Sequence, residues 1–120
     1  MKLDEQRQII QLRLGEHMSV AEHVTARQEL VALCRKTGMR RILVDASDLA
    51  ERPTPWELFD FAAGWPAILL EAPVVVAGVL PRNEAARQWW RFGEDTAVNR
   101  GLISHRFETL EEARAWLVRW

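Results

Sequence analysis

Pro73-Val-Val-Val-Ala-Gly-Val-Leu80, followed at once by Pro81-Arg82-Asn83-Glu84, is the stretch on which the fold turns. Its unbroken apolar run reads as a strand covered on both faces, as in a parallel sheet flanked by helices. Asn83 then offers a side-chain acceptor to the first turn of a helix running to about Asn99, which Gly101 closes. The same unit recurs on either side. Ile42-Leu-Val-Asp45 precedes Thr54-Pro-Trp-Glu57, and Leu102-Ile-Ser-His-Arg-Phe107 precedes Thr109-Leu-Glu-Glu112. Both tetrapeptides, like Ser19-Val-Ala-Glu22, fit the [ST]-x-x-E capping box, in which the hydroxyl and the carboxylate each satisfy an orphan N–H of the first turn. Thr54 adds Pro55 at the first helical position, where a missing N–H costs nothing. Strand and helix therefore alternate, which predicts an α/β domain.

Toward the N-terminus, Gln8-Ile-Ile-Gln-Leu-Arg-Leu14 alternates with Ile10, Leu12 and Leu14 on one face, a half-buried strand. Met1 to Asp4 is expected to pair with it as a hairpin arm across Glu5-Gln6. A helix follows from Ser19 to about Thr37, stopped by Gly38, with Val20, Val24, Val31 and Cys34 near one stripe and Leu30 and Leu33 beside it. Leu49 to Pro53 reads as a loop. The helix from Pro55 carries Leu58, Phe61, Ala62 and Trp65 on one face and ends or kinks around Gly64 and Pro66. In the late strand Ile103 and Phe107 are expected to point inward, and a last helix runs from Leu110 to about Arg119. The sum is one domain, 1–120, with a sheet of four or five mostly parallel strands, an N-terminal strand or hairpin and four helices, joined by right-handed crossovers.

Composition narrows function more by exclusion than by assignment. Sixteen basic and 17 acidic residues are interspersed, for a net charge of −1, so no basic stripe is available to neutralise nucleic-acid phosphates. No stretch approaches the length of an apolar membrane span. Met1-Lys-Leu-Asp-Glu-Gln6 has no apolar h-region, so no signal peptide is expected and the location is read as cytoplasmic. Cys34 is the one cysteine and reads as a buried, inert thiol. His17, His23 and His105 lack metal-ligand spacing and read as surface or partly buried side chains, so neither a metal nor another cofactor is expected. Glycine-rich phosphate loops and the G-x-S-x-G elbow are missing.

Ligands of open α/β sheets bind outside the carboxyl ends of the strands. That edge should gather Asp45, Ser47 and Asp48 with Thr54, Trp56, Arg82 and Asn83. Asp45, Ser47 and Asp48 also suit turns in which side chains bond nearby backbone. The aspartates invite comparison with the phosphoacceptor site of response-regulator receivers. However, no acidic pair follows the first strand, and the only lysines are Lys2 and Lys36. Thr54 is read as a helix N-cap, at a helix end where a phosphate would also be favoured. Six tryptophans stand without a tyrosine. Trp89 and Trp90 are adjacent on a helix, so they point about 100° apart and one is expected at the rim. Trp116 and Trp120 share a face. Phe59, Phe61, Trp65 and Phe92, with Trp89 and Trp90, could line an apolar pocket between helices.

Taken together, Ile42-Leu-Val-Asp45, the Thr54-Pro55-Trp56-Glu57-Leu58 helix start, the valines at 74–76 and Phe107-Glu-Thr-Leu-Glu-Glu112-Ala113-Arg-Ala-Trp116-Leu117 resemble the SpoIIAA-like group of small bacterial proteins, with the STAS/SEC14 (CRAL-TRIO-like) α/β fold. The similarity runs from about Gly15 to Trp120. It implies a non-enzymatic regulatory or protein-interaction module, like the STAS domains of anti-sigma-factor antagonists, whose partner is another protein. Those domains are switched by phosphorylation of a serine in an Asp-Ser-Ser-Gly-like segment. Here the matching stretch is Arg52-Pro53-Thr54-Pro55, which lacks the serine and the Asp-Ser-Ser-Gly-like motif, with Thr54 nearest the acceptor position. The alternative expectation, from the aromatic content, is a binder of a small apolar or acyl ligand. Homodimerisation through an edge strand or exposed aromatics is a further expectation.

Overall fold

The computed structural model describes residues 1–17, 19–50 and 74–120. Five strands form one mixed sheet in the order β1 (Lys2–Asp4), β2 (Ile9–Arg13), β3 (Arg41–Asp45), β4 (Val75–Val79) and β5 (Ile103–Phe107). β1 runs antiparallel to β2, and every later pair is parallel. Three helices accompany them among the described residues: α1 (Val20–Thr37), α2 (Glu84–Val98) and α3 (Leu110–Leu117). The expected helix from Pro55, with Leu58, Phe61, Ala62 and Trp65, lies outside the described residues, as do Glu51 to Pro53 of the expected loop.

The hairpin forms, but its turn is longer than Glu5-Gln6. It spans Glu5 to Gln8, with Gln8 in the left-handed region at φ 58°. Asp4 sets it by accepting from the Arg7 backbone N–H at 3.1 Å, the local capture that aspartate favours in turns.

α1 begins where its capping box predicts. The Glu22 N–H donates to Ser19 Oγ at 3.2 Å, and the Ser19 N–H donates to Glu22 Oε1 at 3.3 Å. It ends at Gly38, whose φ of 78° suits a residue without Cβ and whose N–H closes on the Cys34 carbonyl. The Arg40 guanidinium donates to the same carbonyl at 2.9 Å, a cation at the negative end of the helix. Ser19→Ala should therefore cost about 1 kcal/mol in urea denaturation. At Thr109 the box is altered. The hydroxyl accepts the Glu112 N–H and donates to the Glu112 carboxylate, which thus reaches the side chain of the cap.

The sheet divides the core into two layers. Ile10, Leu14, Ile42, Val44 and Val76 face Leu30 and Cys34 of α1 and Ala97 of α2, with Trp89 and Trp90 packed against them. Ile9, Leu43, Ala77 and Val79 face Ala113 and Leu117 of α3. α1 and α2 each carry the chain one strand over in the same direction and on the same face, so the two crossovers have the same hand. Leu43 and Ile42 are almost wholly enclosed, and burying each contributes about 1.5–3 kcal/mol.

Two expected faces shift. The enclosed side of α1 centres on Leu30 and Cys34, with Val24, Val31 and Leu33 only half-buried. Ile103 shares the face of Phe107 but is 44 % exposed, because eight-residue α3 does not reach over that end of β5. Leu102, just before the strand, enters the opposite layer instead.

Candidate functional site

The carboxyl ends of β2, β3 and β4 are stitched into one surface by backbone hydrogen bonds. The Leu14 N–H donates to Asp45 O, Ala46 to Val79 O and Arg82 to Ser47 O, at 2.9, 3.0 and 3.1 Å. The Ala50 N–H donates to Glu16 O at 2.9 Å, which holds the loops after β2 and β3 together. Between them lies a cleft of about 420 Å³, lined by Glu16, Ser47, Asp48, Leu49, Ala50, Arg82 and Asn83. Parallel register makes this gathering possible, since Arg13 stands beside Asp45 and Asp45 beside Val79.

Asp45, the buried carboxylate of this edge, is committed to its own turn. Its Oδ1 accepts from the Ser47 N–H at 3.0 Å and from the Ser47 hydroxyl at 2.7 Å, an Asx turn of the kind expected from the sequence. Asp48 faces outward between two arginines. Arg13 Nη2 donates to its Oδ2 at 2.5 Å, and Arg82 Nη2 donates to its Oδ1. The hydrogen bond from Arg13, reinforced by the charges of Arg13 and Arg82, holds the Asp48 carboxyl below the usual carboxylate range. Both arginine side chains remain mostly exposed, 68 % for Arg13 and 76 % for Arg82. Asn83 spends its side-chain oxygen on the Ala86 N–H at 3.0 Å, capping α2. Behind it Arg87 grips Glu108 with both guanidinium nitrogens, at 2.6 and 3.1 Å.

Asp45, Ser47, Asp48, Arg82 and Asn83 thus come together as expected, while Thr54 and Trp56 lie outside the described residues. Arg13 and Glu16 join the site without having been anticipated. Arg13 ends its strand, and aligning that end with Asp45 would have pointed to it.

Of the six residues expected to line an apolar pocket, three lie among the described residues. Trp89 and Trp90 pack on the core, with ring centroids 6.1 Å apart, whereas Phe92 is 47 % exposed. Phe59, Phe61 and Trp65 lie outside the described residues. Both indoles are half-buried, so neither is left wholly at the rim, and neither indole N–H finds an acceptor among the described residues. His23 stands edge-on to Trp89 at 6.3 Å, and burial pushes its imidazole pKa down. Burial raises the pKa of the Cys34 thiol against the pull of Arg40, which disfavours the thiolate. Among the described residues no three of His, Cys, Asp and Glu are placed to hold a metal ion. No described helix is long and apolar enough to cross a membrane.

Sequence reasoning also missed Glu94 of α2. Its side chain is only 10 % exposed and sits 3.5 Å from Arg106, which donates more closely to Asp95 at 2.9 Å. Burial raises its pKa from 4.5 to about 7, Arg106 opposing and Asp95 adding to the rise. The signal was available, since Glu94 falls eight residues after Ala86 and four after Trp90 on one helical stripe. Comparison of the chain with models of known protein families and with curated proteins returns no match.

Proposed function

We propose that this chain is a non-enzymatic protein-interaction module of STAS-like type, and that its partner docks on the carboxyl edge of the sheet. The observation that carries the reading is Asp48 held between Arg13 and Arg82. Three strand ends from distant parts of the sequence present a charged cluster that is joined by hydrogen bonds yet open to solvent. Such a surface suits recognition. Arg13 and Arg82 keep guanidinium donors for a carboxylate of the partner, and Asp48 stays ionised as an acceptor. Proton transfer is poorly served, because Asp45 is bound into its turn and Asp48 is held at a low pKa. The five-stranded mixed sheet, with helices after β2, β4 and β5, supports the STAS-like reading.

Arg82→Glu tests it. Surface ion pairs contribute about 0–1 kcal/mol, so the variant should keep its melting temperature within a few degrees. A protein from the native lysate that binds the immobilised wild type should bind the variant at least tenfold more weakly. Equal retention by both, or retention by neither, would overturn the reading. Native mass spectrometry beside it separates the alternative, since a non-covalent mass lost on denaturation would identify a ligand carrier.

A further inference from the structure

We infer that the outer edge of β5 pairs with the β5 of a second copy, antiparallel and in one register centred on His105. Among the described residues β5 is the last strand of the sheet, and the alternation of its backbone decides which groups face outward. Phe107 turns its carbonyl inward, where it accepts the Leu80 N–H at 2.9 Å. In a parallel ladder alternate residues bond the same neighbour, so Ile103, His105 and Phe107 serve β4 while Ser104 and Arg106 turn their N–H and C=O groups outward. An antiparallel pair forms its close hydrogen bonds between residues directly opposite. Only with His105 opposite itself do the two outward residues meet each other, Ser104 against Arg106 of the second copy, twice about the dyad.

The side chains agree with that register. Exposed Ile103 falls opposite Phe107 of the second copy, an apolar cross-strand pair that covers what α3 leaves open. Arg106 falls opposite Ser104 and not opposite another arginine, and on its own chain it is neutralised by Asp95 at 2.9 Å. Beside the dyad, His105, Phe107 and Trp116 form an aromatic group with centroids 4.9–5.8 Å apart, and Trp120 extends it at 5.6 Å from Trp116. The opposite edge is a poorer template, because β1 has three residues and its Asp4 is engaged by Arg7. The dyad stands normal to the sheet, so the two carboxyl edges point in opposite directions and both stay open. The pair is thus built to hold two partners at once.

Cross-linking reads the register directly. With His105→Cys, the two Cα atoms of a non-hydrogen-bonded antiparallel pair stand about 4.5 Å apart, within the disulfide range. With Ile103→Cys, the two copies of that position lie about 13 Å apart or more. Mild oxidation should therefore cross-link the first variant and leave the second uncrosslinked. Ser104→Pro removes an outward N–H that β4 does not use, and it should weaken the dimer at least tenfold while cooperative melting persists. Light scattering of the wild-type chain at about 100 μM should give the dimer mass, a concentration that saturates a micromolar association. A monomer at that concentration, a dimer indifferent to Ser104→Pro, or equal cross-linking at position 103 would overturn the proposal. So would open-ended assemblies, the product of pairing β5 with β1 of the next copy.

Discussion

Glu94→Gln is expected to stabilise the protein by up to about 3 kcal/mol at pH 8 and by only about 1 kcal/mol at pH 5. The sign follows from the direction of the shift. Burial raises the Glu94 carboxyl from 4.5 to about 7 in the fold, so between those values the folded chain holds a proton that the unfolded chain releases. The contribution of Glu94 to stability is therefore greatest below pH 4.5, falls as pH rises through 7, and levels off above it. Arg106 offsets part of the cost of ionisation but is drawn toward Asp95. Glutamine keeps the shape and carries no charge at any pH. Urea denaturation of both proteins at pH 5, 6, 7 and 8 isolates this one group, because every other titration is common to the pair. Parallel stability curves would show that Glu94 titrates at its ordinary value.

Gly78→Val should cost about 3 kcal/mol, although valine is the better strand former. A Cβ at Gly78 would lie 3.3 Å from Cζ2 and Nε1 of Trp90, and the rigid indole is packed against the core. The glycine in the middle of β4 thus makes room for a ring from α2. Trp90→Ala should itself cost about 3 kcal/mol through the space it leaves. In the double variant the valine enters that space, so the combined loss should fall short of the sum by at least about 1 kcal/mol. Strict additivity of the four stabilities would mean that the ring and the glycine do not constrain each other.

These two sites mark the boundary between what the chain announces and what its folding decides. Gly78 is one small residue within the unbroken apolar run of β4, and nothing near it in sequence indicates which ring lies above. Glu94 lay on a legible helical stripe, but its raised pKa depends on how deeply β5 and α2 enclose it.

The sequence by itself determined the features whose causes are local. The hydroxyl and glutamate of Ser19-Val-Ala-Glu22, the left-handed stop at Gly38, the apolar run through β4 and the Asx turn of Asp45 and Ser47 each involve residues at most a few positions apart. Only the tertiary structure decided the rest. Asp48 meets Arg13 and Arg82 across 35 and 34 residues, so their meeting depends on strand order and register. Ile103 shows the same division within one strand. Its alternation with His105 and Phe107 specifies a face, but whether that face is covered depends on the length and placement of α3. Backbone periodicity is set by neighbours along the chain, whereas burial and ion pairing are set by whatever the packed elements bring alongside.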